Sequence, residues 1–130
     1  MEHTKRFAAE PDQLGEIRRF IDRCAREASF SAHAADLGLA ATEAASNVIR
    51  HASSDSLEVR LAAGSATFIV EIRDHGVFKE RAAAAAMASE GRGIAIMKAV
   101  VDEFAIAPGT PGGRGTVVRL VKRKARTPVG

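Results

Sequence analysis

The first forty residues of the chain alternate between two periods. "HTKRFAAE" has the two-residue alternation of a short strand. "PDQLGEIRRFIDRCAREASF" then changes to three- and four-residue spacing, with Leu14, Ile17, Ile21, Cys24 and Ala28 on one stripe and Pro11 and Asp12 suited to a helix start. Ser31 is the expected N-cap of a second helix, from about residue 32 to 52. "SSDS" ends it. "LEVRLAA" and "ATFIVEIRD" alternate again and, with Gly64 and Ser65 between them, predict an antiparallel hairpin. "RAAAAAMASE" has high helix propensity but little to bury, which predicts a loosely held segment. "GRGIAIMKAVVDEF" reads as a glycine turn opening a helix, with Ile94, Met97, Val101 and Phe104 as its core stripe. "FAIA" is a candidate short strand, "PGTPGG" a turn and "GTVVRLVKR" a closing strand.

Strands and helices are thus grouped rather than strictly alternating. This predicts an α+β two-layer sandwich, a mixed and mostly antiparallel sheet with helices on one face. The 130 residues suit a single domain over 1–130, with a basic, flexible tail at about 122–130. The composition is 46% hydrophobic, but much of that is alanine and there is no Trp or Tyr, so close helix packing must replace large side chains. The net charge of +3 resides largely in Lys122, Arg123, Lys124 and Arg126, which weakens any case for direct nucleic-acid binding. Cys24, the only cysteine, excludes an internal disulfide and reads as a small core residue. No signal-peptide pattern opens the sequence, and no apolar run approaches the roughly 20 residues a bilayer requires. The expectation is a cytoplasmic protein with no membrane association.

Four constellations carry chemistry. On the second helix, at about 100° per residue, Leu37, Ala41, Ala44, Ala45, Val48 and Ala52 share one face. Asp36, Ala40, Glu43, Asn47 and Arg50 share the other, where Ala40 keeps the surface low enough for something to lie against it. Read alone, this is most simply a solvated face. "EIRDHG" ends a strand on Asp74 and turns at Gly76, a geometry that presents a carboxylate to a ligand. "EGRGIAIM" sets Gly91, Arg92 and Gly93 ahead of a helix, where backbone N–H groups and a guanidinium favour phosphate. Thr116 follows Gly115 into the last strand, where its hydroxyl can face a ligand.

In this order the four motifs resemble the catalytic domains of the superfamily shared by gyrase, histidine kinases and the mismatch-repair MutL ATPases. Within it, the resemblance is greatest to the anti-sigma-factor serine kinases of bacterial partner-switching systems. "TEAASNVIRHA" is similar to their N-box, "IRDHG" to the box that reads adenine, "GRGIAIMKAVVDEF" to the glycine box and its helix, and "GTVVRL" to the closing strand.

The resemblance implies a histidine-kinase-like, Bergerat-type fold that binds ATP or ADP with Mg²⁺. It makes Asn47 the Mg²⁺ ligand and Glu43 the general base. Asp74 would read the adenine amino group, Thr116 would support the ring through water, and Gly76 would let the backbone pass close to the base. Gly91, Arg92 and Gly93 would border the phosphates. Arg50 has two possible roles, reaching a phosphate or holding Glu43, and the sequence does not choose between them. "KERAAAAAMASE" would be the ATP lid, and His51 would be structural. The implied activity is phosphorylation of a serine on a small STAS-type antagonist, alternating with binding of a sigma factor or other output protein, in a homodimer. One departure supports a rival reading: Phe78 occupies a position where the family often has a second glycine. The rival is a nucleotide-binding module that sequesters a partner with little or no kinase activity. A detached histidine-kinase catalytic domain is a weaker alternative, because no helix with a phosphoacceptor histidine precedes the fold.

Overall fold

In the computed structural model, residues 1–51, 55–77, 98–108 and 114–124 are described. Strand β1 (Glu2–Ala8) leads through a 3-10 turn at Pro11–Gln13 into helix α1 (Leu14–Glu27). A second 3-10 turn, Ser31–His33, leads into helix α2 (Ala34–His51). Strands β2 (Ser56–Ala63), β3 (Thr67–Val77), β4 (Glu103–Pro108) and β5 (Arg114–Arg123) complete the described elements. The sheet order is β1-β2-β3-β5-β4, and all four pairings are antiparallel, where the sequence had allowed a mixed sheet.

Both helices pack on one face of the sheet. The two-residue period places Leu57, Val59 and Leu61 of β2, Phe68, Val70 and Ile72 of β3, and Val118 and Leu120 of β5 in the core. The opposite face is charged and ordered by register: Arg6 faces Glu58, Glu58 faces Arg73, Arg60 faces Glu71, and Glu71 faces Arg119. Such cross-strand pairs each contribute about 0.2–1 kcal/mol and keep that face polar. On α1 the buried stripe is Ile17, Phe20, Ile21, Cys24 and Ala25; Leu14 and Ala28 pack at its edge. Phe20 joins the stripe because Phe7 of β1 meets it, the ring centroids lying 5.9 Å apart. Cys24 is a free, buried thiol. Burial pushes its ionisation up, the nearby Glu27 charge adds to this, and Arg23 opposes it.

The alanines of α2 compensate for the scarcity of large side chains. Ala34, Ala40, Ala41, Ala44 and Ala45 are all fully or almost fully buried. Gly38 lies beneath α1, with Arg18 Cγ 3.4 Å from where a Cβ would sit. This closeness lets thin side chains fill the space between the helices.

Two local expectations change. Ser31 does not cap α2; it opens the 3-10 turn, and its carbonyl accepts the N–H of Ala34. Phe104 belongs to β4 rather than to a helical stripe, because the helix that includes residues 98–100 stops before Val101. The Asp102 N–H bonds the Val121 carbonyl at 2.8 Å, and its carboxylate accepts the Arg123 N–H at 2.5 Å, so sheet pairing takes over there. Lys122 and Arg123 close β5, as the "GTVVRLVKR" strand reading has it although the expected tail overlapped them, and Lys122 Nζ donates to the Val100 carbonyl at 2.9 Å.

The strand directions define two ends of the sandwich. At one, Phe30 packs on Phe68 with centroids 5.4 Å apart, and Lys124 Nζ sits 4.6 Å from the Phe30 ring. Here α1 ends, α2 begins and β5 finishes. At the other end, Leu57 pairs with Asp74 and Asp74 with Thr116.

Candidate nucleotide site

Helix α2 starts at the Phe30 end, so its last turns lie at the Asp74 end. Chain connectivity requires the same placement. From His51 to Ser56 the chain can span at most about 18 Å, too short to return along β2. Glu43, Asn47 and Arg50 therefore lie at the same end as the terminus of β3 and the start of β5.

The buried arc of α2 covers roughly half its circumference at about 100° per residue. Ala40 lies inside that arc, wholly inaccessible to solvent, rather than on an open floor. The boundary between the buried and open faces therefore lies beyond Ala40, further round the helix than its spacing predicts. Asn47, two turns beyond Ala40 and about 20° further round the helix, lies on the seam between core and surface and is 8% exposed. Glu43 is half-buried beside it, and Arg50 is exposed. Thr42 is turned away from this seam, its hydroxyl donating to the Gly38 carbonyl at 2.6 Å.

Asn47 stands out energetically. Its Oδ1 is buried and accepts no hydrogen bond from any described residue. An unsatisfied buried polar group costs about 1–3 kcal/mol, so the arrangement favours an incoming donor or cation.

Asp74 is the second buried polar residue among the described residues, 3% exposed. It continues the core series Phe68, Val70, Ile72, so a carboxylate occupies a slot the strand period assigns to an apolar side chain. Leu57 and Thr116 flank it on either side. Beyond this pair the register shifts: Asp74 faces Thr116 and Val77 faces Arg114, which leaves one extra residue on β3. Gly76 falls within this bulge. Gly115, opposite it, has φ +72°, a conformation that glycine adopts without strain. The bulge ends regular pairing just past Asp74 and Thr116.

Of the residues singled out in the sequence, the structure brings Asp74 and Thr116 into direct cross-strand register. It sets Glu43 and Asn47 one turn apart on α2 at the same end. Gly91, Arg92, Gly93, Phe78 and the alanine-rich segment lie outside the described residues. Leu57, which the sequence reading did not single out, is wholly buried alongside Asp74. Its signal was the alternation Leu57, Val59, Leu61, but only the register shows which carboxylate it adjoins.

A two-layer α+β domain with buried polar groups gathered at one end of an antiparallel sheet is a frame for a small polar ligand. The family model described as Histidine kinase-like ATPase domain matches residues 7–122, nearly the whole chain. The chain belongs to that family of ATP-binding domains. No curated protein matches the chain. Among the described residues, no helix is long and apolar enough to cross a membrane.

The residues present fit Mg²⁺. A carboxamide oxygen is a hard donor, and Mg²⁺ is commonly held by one or two protein oxygens together with nucleotide phosphates and waters. Asn47 offers such an oxygen, buried and unpartnered among the described residues.

Proposed function

We propose that this chain is a Mg·ATP-dependent protein-serine kinase that also acts as an anti-sigma-type regulator. Its substrate is a serine on a small STAS-type antagonist, and its alternate partner is a sigma factor or other output protein. It works as a cytoplasmic homodimer and contacts no nucleic acid. The observation that carries this reading is the unpartnered Oδ1 of Asn47, one helical turn from the half-buried carboxylate of Glu43.

Mg²⁺ held by Asn47 would supply charge neutralisation on the transferring phosphate. Glu43 takes the proton of the substrate serine as its oxygen bonds to the γ-phosphorus, and ADP departs with the electrons of the broken bond. The i, i+4 spacing places base and ligand side by side on one rigid helix. Asp74 accepts from the adenine amino group, with Thr116 beside it, and Gly76 keeps the backbone thin there. Gly91, Arg92 and Gly93 would border the phosphates, and Arg50 would either reach a phosphate or hold Glu43. Phosphate on the antagonist then adds roughly −1.5 to −2 charge at the interface, which weakens the complex and frees the kinase for its other partner.

The test is incubation of the chain with radiolabelled ATP, Mg²⁺ and the antagonist. Phosphoserine is expected from the intact chain and not from Glu43→Ala. ATP binding without transfer by the intact chain sinks the kinase and leaves the sequestering module, the reading that Phe78 favours. Phosphohistidine on the partner would instead support a histidine-kinase catalytic domain.

A further inference from the structure

A second chemical cluster lies at the opposite end of the sandwich, where the nucleotide reading makes no demand. His3 enters from edge strand β1, two strand steps before Lys5 and four before buried Phe7, so it faces α1. Its register partner is Leu61. Cys24 and Glu27 are three residues apart in the last turns of α1 and share a face. One donor atom from each of His3, Cys24 and Glu27 lies within 4.8 Å of the other two.

We propose that His3, Cys24 and Glu27 form a zinc site that staples strand β1 to the C-terminal end of helix α1. The donor set is one imidazole nitrogen, one thiolate and one carboxylate oxygen. Zn²⁺, a borderline ion with no geometric preference of its own, accepts all three, whereas the thiolate argues against Mg²⁺ or Ca²⁺. Tetrahedral zinc holds N, S and O donors at roughly 2.0–2.3 Å, which puts the donors roughly 3.3–3.8 Å apart. Closing the present spacing requires a movement on the order of 1 Å. His3 and Glu27 are exposed and free to supply it, whereas buried Cys24 is the fixed point. The side chains of His3 and Glu27 make no hydrogen bond or ion pair with another described residue, so binding breaks no such contact among them. Their exposure leaves the fourth position to water. On binding, the Cys24 S–H bond breaks, sulfur keeps the electron pair and donates it to zinc, and the proton passes to solvent.

The experiment uses the full chain without an affinity tag, stripped with chelator and titrated with Co²⁺ and then Zn²⁺ in the absence of nucleotide. One equivalent of Co²⁺ should give a thiolate charge-transfer band and the intense visible bands of a four-coordinate site, and Zn²⁺ should abolish both. Zinc at a hundredfold excess over its dissociation constant should raise the unfolding midpoint by on the order of 5–10 °C. His3→Ala and Glu27→Gln change exposed side chains and should fold normally. Each should weaken Co²⁺ binding by at least the ten- to hundredfold that loss of an outer-shell partner costs. Cys24→Ser should abolish the charge-transfer band; if that core change unfolds the chain, the His3 and Glu27 variants decide. A folded chain that gives no thiolate band overturns the proposal, as does a band that both exposed variants leave intact.

Discussion

The two ends of the sandwich are built on opposite principles. At the Phe30 end, packing is apolar: Phe30 and Phe68 are wholly inaccessible to solvent, and Lys124 covers the ring. At the Asp74 end, the same sheet and the same helix carry a buried carboxylate, a carboxamide whose buried oxygen has no partner among the described residues, a bulge and a left-handed glycine. Folding free energy is gathered at the Phe30 end, whereas at the other end the buried Oδ1 of Asn47 accepts no hydrogen bond from any described residue. A substitution at the Phe30 end should therefore lower stability and leave nucleotide affinity alone, and one at the Asp74 end should weaken nucleotide or Mg²⁺ binding without lowering stability.

The largest effect expected is that of Phe30→Ala. Truncating a fully buried aromatic costs about 3–5 kcal/mol, which urea unfolding would measure directly. Under conditions where the variant remains folded, its ATP affinity should match that of the parent. A large loss of affinity in the folded variant would break the comparison, because it would mean that the two ends are coupled through α2.

Asp74→Asn should do the opposite. The carboxamide keeps the size but exchanges a charged acceptor for a neutral group. Hydrogen bonds to charged groups are worth about 1.5–3 kcal/mol, so calorimetry should show ATP binding weakened by roughly 10- to 100-fold. Unchanged affinity would remove Asp74 from the adenine site.

Asn47→Leu gives the sharpest contrast at smaller magnitude. Replacing a buried, unsatisfied amide with an apolar side chain of similar size should stabilise the ligand-free protein by about 1 kcal/mol. The same change should remove the Mg²⁺ dependence of nucleotide binding. A stabilised variant that still needs Mg²⁺ would mean that another group holds the ion. A destabilised one would mean that Asn47 has a structural partner beyond the described residues.

This contrast was unevenly legible in the sequence. The core strands were readable because two-residue alternation carries its own phase, and the same phase exposes Asp74 as a carboxylate in an apolar slot. The pairing of Asp74 with Thr116 was not, because register across β3 and β5 depends on long-range pairing and on a bulge that no local pattern announces. Ala40 was misplaced for a physical reason. Alanine is small enough to suit either environment, so an alanine-rich helix gives a poor estimate of where its buried arc begins. Asn47 could be recognised by type and spacing, but its unsatisfied oxygen depends on a seam that exists only once α2 is packed. Phe104 showed helical spacing and went to a strand, because the Asp102 contacts with Val121 and Arg123 decide the ending and lie about twenty residues away in sequence.

The smallest effect tests whether charge contributes to the Phe30 end. Arg60 reaches Glu2 across β1 and β2, with Nη2 at 2.6 Å and Nε at 2.9 Å from the same Oε1. Both nitrogens thus converge on one oxygen rather than forming the parallel two-oxygen fork that makes such pairs strong. The side chains are 49% and 58% exposed, so water and salt compete for both partners. Exposed pairs of this kind contribute about 0.2–1 kcal/mol. Arg60→Ala should therefore shift the urea midpoint only slightly, and the difference from the parent should vanish in high salt. Phe30→Ala should remain as damaging in salt as without it. If Arg60→Ala proves comparably destabilising, the edge strand is held by charge, and this end of the sandwich is more like the nucleotide end than its packing indicates.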